Sequence, residues 1–427
     1  SLWLCYTIFQ LNFARLVQNK SPNSMWRVWI VLAAEVCLSF QELVLGINLI
    51  FALFYAREGS TRPRYSLMGN AAPHIDVFVT CCGEPNGIIL DTVAAAIAQD
   101  YPTQQFRAFL LDDGHNAELH AAIQLLSKQS SATGGPKVYY LSREVRSGVK
   151  SFFKAGNLQF GIEESHRLGR SEFIASLDAD MIPEKNWLRR IIPHLILSGD
   201  IALACTPQCY YNVLSGDPLG QKAEFDLWFS VYEPLNDRLD AAMCTGSGYI
   251  VRRSALEAIG GWPQVEAGEG FMCSSVLSNA GWRVACIRED LQFGLAPDSL
   301  RSYIKQRTRW VLSLLPSIFP MVHKQFGFYL PGSKMTSQLT WVQRGVGILQ
   351  ALGEYAPITN VLALILLPLA MFPYGPNEFA NITSKGGYKW IWGVFLASFV
   401  VRKVNNYMLY THVGLREVFN FQSLDIW

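Results

Sequence analysis

The segment FIASLDADMIP at residues 173–183 decides the fold of this chain. It begins as a run of small and apolar residues and ends in two carboxylates, Asp178 and Asp180, which one alanine separates. A strand that is apolar on both faces is typical of the middle of a parallel sheet, and ligands bind beyond the carboxyl ends of such strands. We therefore expect a buried strand whose acids face a ligand, although a short Asp-x-Asp pattern also arises by chance at solvated strand ends.

The two acids have the chemistry of a divalent cation site. Mg²⁺ and Mn²⁺ prefer oxygen ligands, take one or two carboxylates from a protein, and complete their shell with water and substrate phosphate. Asp178 and Asp180 are thus predicted to bind Mg²⁺ or Mn²⁺ together with a nucleotide diphosphate.

Apolar runs alternate with amphipathic stretches from about residue 66 to residue 310. The predicted strands and helix are strands at 74–82, 106–111, 138–141, 173–177 and 201–206, and a helix at 88–99. Strand, helix and strand at this spacing indicate an α/β domain with a mixed, mainly parallel sheet. Polar residues cluster where the strands end, so a site is expected at that edge.

The composition indicates a membrane protein with one soluble domain. Charged residues make up 16% of the 427 residues, against about 25% in typical soluble domains. Apolar stretches at 28–55, 355–372 and 388–401 are predicted to span a bilayer, which takes about 20 residues, and 337–351 is predicted to lie at its interface. A long buried helix of a soluble protein is the alternative for 28–55. The net charge of +2 is too small to indicate nucleic acid binding.

The predicted plan has three parts. Residues 1–56 carry N-terminal transmembrane segments, 57–310 form a cytosolic α/β domain, and 311–427 carry interfacial and C-terminal transmembrane helices. A basic flank formed by Arg57, Arg62 and Arg64 places the domain on the cytosolic side, so we expect a multi-pass protein, most simply of the plasma membrane. The nine cysteines form no zinc-type pair of pairs and are expected to be reduced. Because the chain begins with serine, we expect further segments beyond its ends.

Other polar residues are predicted to complete a nucleotide site. Asp112 and Asp113 end a predicted strand, where an acid can accept hydrogen bonds from a base or ribose, although Asp-Asp-Gly also favours a β-turn. Lys154 stands beside a helix start and suits a phosphate, with an ordinary surface lysine as the alternative. Glu84, which follows Thr80, is placed either to contact the base or to cap the next helix.

The strongest motif is Gln306-x-x-Arg309-Trp310, directly before the C-terminal apolar segments. It supplies a donor amide, a guanidinium for pyrophosphate and a flat ring on which a sugar can stack. An amphipathic helix would explain the arginine and the tryptophan separately, but it would not explain their order after the preceding sites.

This ordered set resembles the processive membrane glycosyltransferases of family 2, which are the cellulose, chitin, hyaluronan and related β-glycan synthases. The resemblance covers nearly the whole chain and rests on Asp112-Asp113-Gly114, Lys154-Ala-Gly-Asn157, Asp178-x-Asp180, Thr245-Gly246-Ser247 before Arg252-Arg253, Gly260-Gly261-Trp262 and Gln306-x-x-Arg309-Trp310. It implies a GT-A-type nucleotide-sugar domain between membrane helices that form a glycan channel. Residues 76–85 look most like fungal cellulose-synthase-like cell-wall enzymes.

The resemblance also implies roles for these residues. The residues expected to bind the donor are Thr80, Glu84, Asp112, Asp113, Lys154, Asp178, Gln306 and Arg309. Those expected to face the acceptor are Thr245, Gly246, Ser247 and Trp310, and the metal is assigned to Asp178 and Asp180. The reaction would be inverting: the acceptor hydroxyl attacks the anomeric carbon and UDP leaves.

The expected product is a linear β-glycan made from a UDP-sugar, with UDP-glucose the first choice and UDP-N-acetylglucosamine the second. Two alternatives stay open. One is a non-processive transferase that loads sugar onto a lipid phosphate, and the other is a non-catalytic partner that regulates a true synthase. Oligomeric state is not predicted.

The position of the general base departs from the family pattern. The family has Thr-Glu-Asp about a dozen residues before a Gly-aromatic pair, here Gly281-Trp282, and counting back places Gly270 where the aspartate is expected. Glu269 is one residue away and is expected to point elsewhere unless the backbone differs. Three interpretations follow: a substitution made to trap a complex, a natural lineage that uses Glu269 or another acid, or a binding-only relative. The first is favoured because every other site is present.

Overall fold

The computed structural model describes residues 62–144, 148, 150–213, 217–266, 268–310 and 338–353, together with isolated positions nearer the chain ends. Contacts divide the chain into two compact units, of which one comprises 50–214 and 228–348 and the other 1–49, 215–227 and 349–427. The three predicted membrane spans fall largely outside the described residues. Within the described part of the chain, no helix combines the length and the apolar character needed to cross a bilayer.

The larger unit is an α/β domain. Its elements in chain order are β1 (Ile75–Cys81), α1 (Asn86–Ile97), β2 (Phe106–Asp112), α2 (Ala117–Ala132), β3 (Lys137–Leu141), α3 (Phe153–Arg167), β4 (Phe173–Asp178), β5 (Met181–Pro183), α4 (Trp187–Leu197), β6 (Ile201–Cys205), β7 (Cys209–Tyr210), α5 (Glu233–Arg238), β8 (Tyr249–Arg252), α6 (Arg253–Ala258), α7 (Glu269–Asn279), β9 (Arg283–Cys286), β10 (Gln292–Gly294) and α8 (residues 300–310). A further helix, α9, follows at Trp341–Gly353. The five predicted strands and the predicted first helix are confirmed, with ends that differ by one or two residues.

Seven strands form the main sheet in the order β3-β2-β1-β4-β8-β6-β9. All neighbouring pairs are parallel except those of β8, which runs antiparallel to both β4 and β6. A smaller sheet has the order β5-β10-β7. The predicted mixed, mainly parallel sheet is therefore confirmed, with β4 at its centre.

Both faces of the main sheet are covered, as the two-sided apolar strands require. Alternate residues of β1 and β4 enter different cores: Val77 and Ala175 pack on the side of Trp187, whereas Phe78 and Ile174 pack on the opposite side. Because helices cover both faces, the ends of the strands are the places where a ligand can approach the sheet backbone.

A buried ion-pair network closes the amino-terminal end of β1. Asp76 is 0% exposed and accepts hydrogen bonds from Arg107 Nε at 2.8 Å, Arg253 Nη2 at 2.8 Å and Ser171 Oγ at 2.7 Å. Arg253 belongs to one of the sequence motifs noted above, but here it anchors the end of the sheet opposite to Asp178. Its role in the structure is therefore to stabilise the fold.

Candidate active site

The carboxyl ends of three neighbouring parallel strands bring predicted site residues side by side. Thr80 lies opposite Asp178 in the pairing of β1 with β4, and Cys81 lies opposite Asp112 in the pairing of β1 with β2. The expectation that these acids share one edge of the sheet is confirmed.

Lys154 lies at the centre of the site. It is the second residue of α3, and its Nζ donates to Gly246 O at 2.6 Å and makes a short contact with Asp178 Oδ1. The same Nζ lies 3.2 Å from Glu269 Oε1. An ammonium group has three donors, so this lysine links Asp178, Glu269 and the backbone of Gly246.

Burial and neighbouring opposite charges shift the pKa values in this cluster in opposite directions. Burial lowers the pKa of Lys154, but the carboxylates of Asp178 and Glu269 outweigh burial and raise it. Burial also raises the pKa of Asp178, although the positive charges of Lys154 and Arg309 act in the opposite direction. Arg309 therefore lies close enough to Asp178 for its charge to act on the carboxylate.

Asp180 carries negative charge that the described residues do not offset fully. It follows Ala179, whose carbonyl accepts a hydrogen bond from Thr92 Oγ1 of α1 at 2.7 Å. Burial, and then the negative charges of Asp178 and Glu84, raise the pKa of Asp180 to about 6. Two crowded carboxylates of this kind have the donor set and the charge that Mg²⁺ or Mn²⁺ requires.

The described residues hold no cluster of three or more His, Cys, Asp or Glu side chains arranged for a metal ion. A cation at Asp178 and Asp180 would therefore need water and substrate oxygens for the rest of its shell. That arrangement is ordinary for Mg²⁺, which usually takes one or two carboxylates plus phosphates.

Asp112 holds a turn. It is 1% exposed, and its carboxylate accepts hydrogen bonds from the backbone N–H groups of Gly114 and Asn116 and from the Tyr140 hydroxyl, all within 2.7–2.8 Å. Burial raises the pKa of Asp112, but these hydrogen bonds outweigh burial and lower it. Most of its acceptor capacity is used inside the protein. The turn interpretation of Asp-Asp-Gly is confirmed, and contact with a nucleotide stays a prediction.

Glu84 does not cap the first helix, which has Pro85 at its N-cap position and no side-chain cap. Its carboxylate instead accepts a hydrogen bond from Cys82 N–H at 2.6 Å. Thr80 is buried, and its hydroxyl donates to Leu177 O at 3.4 Å. The cap alternative for Glu84 is therefore wrong, because the side chain turns back towards the end of β1.

Arg143 is a residue that the sequence analysis missed. It pairs with Asp113 and also donates to Ser151 O at 2.9 Å and to Phe153 O at 2.9 Å, at the start of α3. A Cβ on Gly156 would lie 2.3 Å from Arg143 Nη1, so the glycine of the Lys154-Ala-Gly motif makes room for the guanidinium. No local pattern marks this arginine, because its partners are distant in sequence.

The segment between Cys244 and Gly248 covers the end of β4. Ser247 Oγ accepts a hydrogen bond from Asp178 N–H at 3.0 Å. Thr245 Oγ1 is buried and has no hydrogen-bond partner among the described residues. Of the four predicted acceptor-facing residues, Gly246 contacts Lys154 and Ser247 contacts Asp178. Thr245 offers a hydroxyl with no partner among the described residues.

Helix α8 carries the Gln-x-x-Arg-Trp motif. The guanidinium of Arg307 lies 4.2 Å from the centre of the Trp310 ring and 4.6 Å from that of Tyr303, and it donates to Gln306 Oε1 at 2.7 Å. The motif therefore includes a cation–π stack that the sequence analysis did not predict.

Glu269 and Gly270 begin α7, after Gly268 with a φ of +69°. The family spacing led us to expect that Glu269 points away from the site. Its side chain, which is 17% exposed, instead forms an ion pair with Lys154. A Cβ on Gly270 would lie 2.9 Å from Cys244 O and 3.1 Å from the N and Cα atoms of Gly246. An aspartate at position 270 would therefore require a shift of this backbone. The three interpretations of Gly270 stay predictions.

Comparison with protein-family models matches residues 173–405 to glycosyl transferase family group 2 and residues 76–260 to glycosyl transferase family 2. The cellulose synthase 1 catalytic subunit of Komagataeibacter xylinus, described as UDP-forming, is 27% identical over 368 residues, or 80% of this chain and 46% of that protein. Cellulose synthase 2 of Novacetimonas hansenii is 28% identical over 316 residues, or 72% of this chain and 18% of that protein.

This chain therefore spans less than half the length of these two curated relatives. Both are bacterial, so the resemblance to fungal enzymes stays a prediction. Among solved structures, the mannosyltransferase PcManGT from Pyrobaculum calidifontis, in complex with GDP-Man and Mn²⁺, matches with a TM-score of 0.58 and 15% identity. The match covers 92% of this chain and 99% of that one, and it shows a shared GT-A-like α/β fold.

Proposed function

The chain belongs to glycosyl transferase family group 2, and on that premise we propose that it is an inverting, processive transferase that adds sugar units from a UDP-sugar to a growing linear β-glycan. UDP-glucose is the first choice of donor and UDP-N-acetylglucosamine the second. The likeness to cellulose synthases over 80% of the chain supports a polysaccharide product.

The observation that carries the proposal is the charge arrangement at the end of β4. Asp178 lies against Lys154, within reach of the charge of Arg309, and one alanine before Asp180. Acids that suit a divalent cation and bases that suit a diphosphate thus meet at one strand end. A diphosphate leaving group is stabilised by positive charge, which the basic side chains and a cation held by the two acids would both supply. Such preorganised charge is a large source of rate acceleration.

In this proposal the donor lies across the ends of β1, β2 and β4. The residues assigned to the uridine side are Thr80, Glu84, Asp112 and Asp113, and those assigned to the diphosphate are Lys154, Asp178, Gln306 and Arg309. A divalent cation at Asp178 and Asp180, when bound, would offset the charge that develops on the departing UDP.

The acceptor is assigned to the other side of the cluster. Thr245 has a buried hydroxyl without a partner in the part of the chain that the structure describes. This hydroxyl and the backbone of Gly246 and Ser247 offer polar contacts beside Lys154. Trp310, stacked with Arg307, offers a flat ring to a sugar. We also propose that the apolar segments around 28–55 and after residue 355 place this domain at the cytosolic face of the plasma membrane and form the path by which the glycan leaves.

The test is UDP release by the full chain in nanodiscs with Mg²⁺ or Mn²⁺, with UDP-glucose, UDP-N-acetylglucosamine, UDP-glucuronate and GDP-mannose supplied in turn. We expect release with one UDP-sugar, loss of release in EDTA, and a product long enough to be digested by a linkage-specific glycanase. If the chain releases no UDP with any of the four donors but still binds UDP, the regulatory-partner alternative is favoured. Transfer of a single sugar to a lipid phosphate would favour the lipid-phosphate alternative.

A further inference from the structure

We propose that Glu269 is the general base of this transferase and that Gly270 is the native residue that allows α7 to place it. The inference rests on the proposed function, because a base is needed only if an acceptor hydroxyl is deprotonated. It differs from the family pattern, in which the next residue along the chain supplies the acid.

Glu269 is the acid that the structure directs into the cluster. Gly268 has a left-handed backbone conformation, with a φ of +69°, and α7 begins directly after it. That turn aims the Glu269 carboxylate at Lys154 Nζ, 3.2 Å away, while the same Nζ contacts Asp178. Glu269 is therefore held beside both the predicted diphosphate site and the segment assigned to the acceptor.

Gly270 has no room for the family aspartate. Its Cα faces the backbone of Cys244 and Gly246, and an added Cβ would approach Cys244 O to 2.9 Å. Backbone atoms cannot move aside as the end of a flexible side chain can. An aspartate here would need a shift of α7 or of the covering segment.

Ser274 fixes α7 against that segment, so such a shift is opposed. Its hydroxyl donates to Gly270 O at 3.0 Å and accepts from Cys244 N–H at 2.7 Å. Both bonds are buried, and replacing them would leave buried polar groups unpaired. The close contact at Gly270 is therefore part of a packed joint between α7 and the segment that carries Thr245.

The chemical step balances with Glu269 as the proton acceptor. The acceptor oxygen forms a bond to the anomeric carbon as the bond from that carbon to the diphosphate oxygen breaks. The hydroxyl proton passes to the Glu269 carboxylate, and UDP leaves with the electron pair of the broken bond. No oxidant, reductant or further reactant is required.

The test compares Glu269→Gln, Gly270→Asp and the control Glu266→Gln in nanodiscs, with UDP release, UDP binding by calorimetry and melting temperature measured for each. Glu266, three residues before Glu269, makes an exposed ion pair with Lys150, so its variant removes one nearby negative charge and leaves the ion pair of Glu269 with Lys154 in place. We expect Glu269→Gln to lower turnover by about 10² to 10⁴-fold while UDP binding is kept, and Glu266→Gln to match the wild type.

Gly270→Asp is expected to lose activity and to melt at a lower temperature, whereas the replaced-aspartate interpretation predicts a gain in turnover. Wild-type turnover in Glu269→Gln, or a gain in Gly270→Asp, would overturn the inference and leave the proposed function intact. Should the wild type itself release no UDP with any donor, the proposed function would fail first. The isosteric Glu269→Gln variant keeps the test decisive even when Gly270→Asp does not fold.

Discussion

Arg143 and Asp113 form a two-point ion pair, with Nε 2.8 Å from Oδ1 and Nη2 2.7 Å from Oδ2. The pair joins the end of β2 to the segment after β3. Arg143 also donates to Phe153 O at the start of α3, where Phe152 and Phe153 adopt φ angles of +53° and +41°. Left-handed backbone at a bulky residue costs about 1 to 3 kcal/mol and persists only when surrounding contacts hold it. Arg143, fixed by Asp113, therefore holds through its bonds to Ser151 O and Phe153 O the strained turn that presents Lys154 to the site.

Replacing Arg143 with lysine should weaken donor binding, because an ammonium cannot reproduce the planar two-point pair. We expect the dissociation constant for UDP to rise about tenfold, equivalent to roughly 1.4 kcal/mol, in calorimetric titrations. Arg170→Lys is the matched control, since Arg170 pairs with Glu257 at an exposed site. UDP affinity equal to the wild type in Arg143→Lys would show that α3 holds Lys154 without this pair.

Asp180→Asn should raise the stability of the cation-free protein and weaken cation binding. Removing one of two crowded carboxylates relieves like-charge repulsion, so the variant is expected to melt at a higher temperature than the wild type in EDTA. The wild type should gain stability from Mn²⁺ plus UDP, about 2.7 kcal/mol at one hundred times the dissociation constant, and the variant should gain much less. The exposed Asp91→Asn serves as the control. An equal Mn²⁺ response in Asp180→Asn would remove this residue from the cation site.

Asp76→Asn should destabilise the domain strongly, since it leaves Arg253, 1% exposed, without its buried carboxylate. Breaking a buried pair on one side costs about 3 to 5 kcal/mol, and a domain of this size loses about 2 to 4 °C in melting temperature for each kcal/mol. Glu257→Gln, which breaks an exposed pair, should leave the melting temperature unchanged. A small change in melting temperature for Asp76→Asn would mean that the buried ion-pair network contributes little to the stability of the domain.

His194 should make stability depend on pH. Burial, and then the charges of Arg62 and Arg190, lower the pKa of His194 to about 4, and Nε2 is buried without a partner among the described residues. The unfolded chain binds the proton near pH 6.5, so it holds more protons than the folded state between about pH 6.5 and 4. Stability should therefore fall as the pH is lowered through this window, by up to about 1.4 kcal/mol per pH unit.

Melting curves of the wild type and of His194→Gln, recorded from pH 4 to 8, check this dependence. The variant should lose the part of the slope that His194 contributes. The exposed His74→Gln should keep the wild-type slope. Identical slopes in the wild type and His194→Gln would contradict the assignment.

The strands could be predicted because their signal is local. The segments around Phe78, Phe109 and Phe173 are long apolar runs, and such runs are typical of strands buried on both faces. Strand β8 carries no comparable signal in its four residues, and its antiparallel place between β4 and β6 depends on distant partners. The ends of β1, β2 and β4 follow from parallel pairing, which is why the shared position of Thr80, Asp112 and Asp178 could be expected.

The site was less predictable where the backbone conformation decides the direction in which a side chain points. Spacing alone placed Gly270 at the base position, but the left-handed turn at Gly268 brings Glu269 to Lys154. For Asp112, the sequence did not reveal that hydrogen bonds from a turn and from Tyr140 use most of the acceptor capacity of its carboxylate. Its contact with a nucleotide stays a prediction. The direction of Glu269 and the hydrogen bond from Tyr140 to Asp112 depend on residues that are far apart in the chain. A short sequence motif carries no information about such contacts.

Asp178 and Asp180 border two different sheets of the domain. Asp178 ends β4 of the seven-stranded sheet, and Asp180 directly precedes β5 of the three-stranded sheet. A cation bound by both carboxylates would link the two sheets and restrict the motion of one against the other. Amide protons in β5 and β10 should then exchange with solvent more slowly when the cation and UDP are present, so that the stiffness of the smaller sheet reports occupancy of the site.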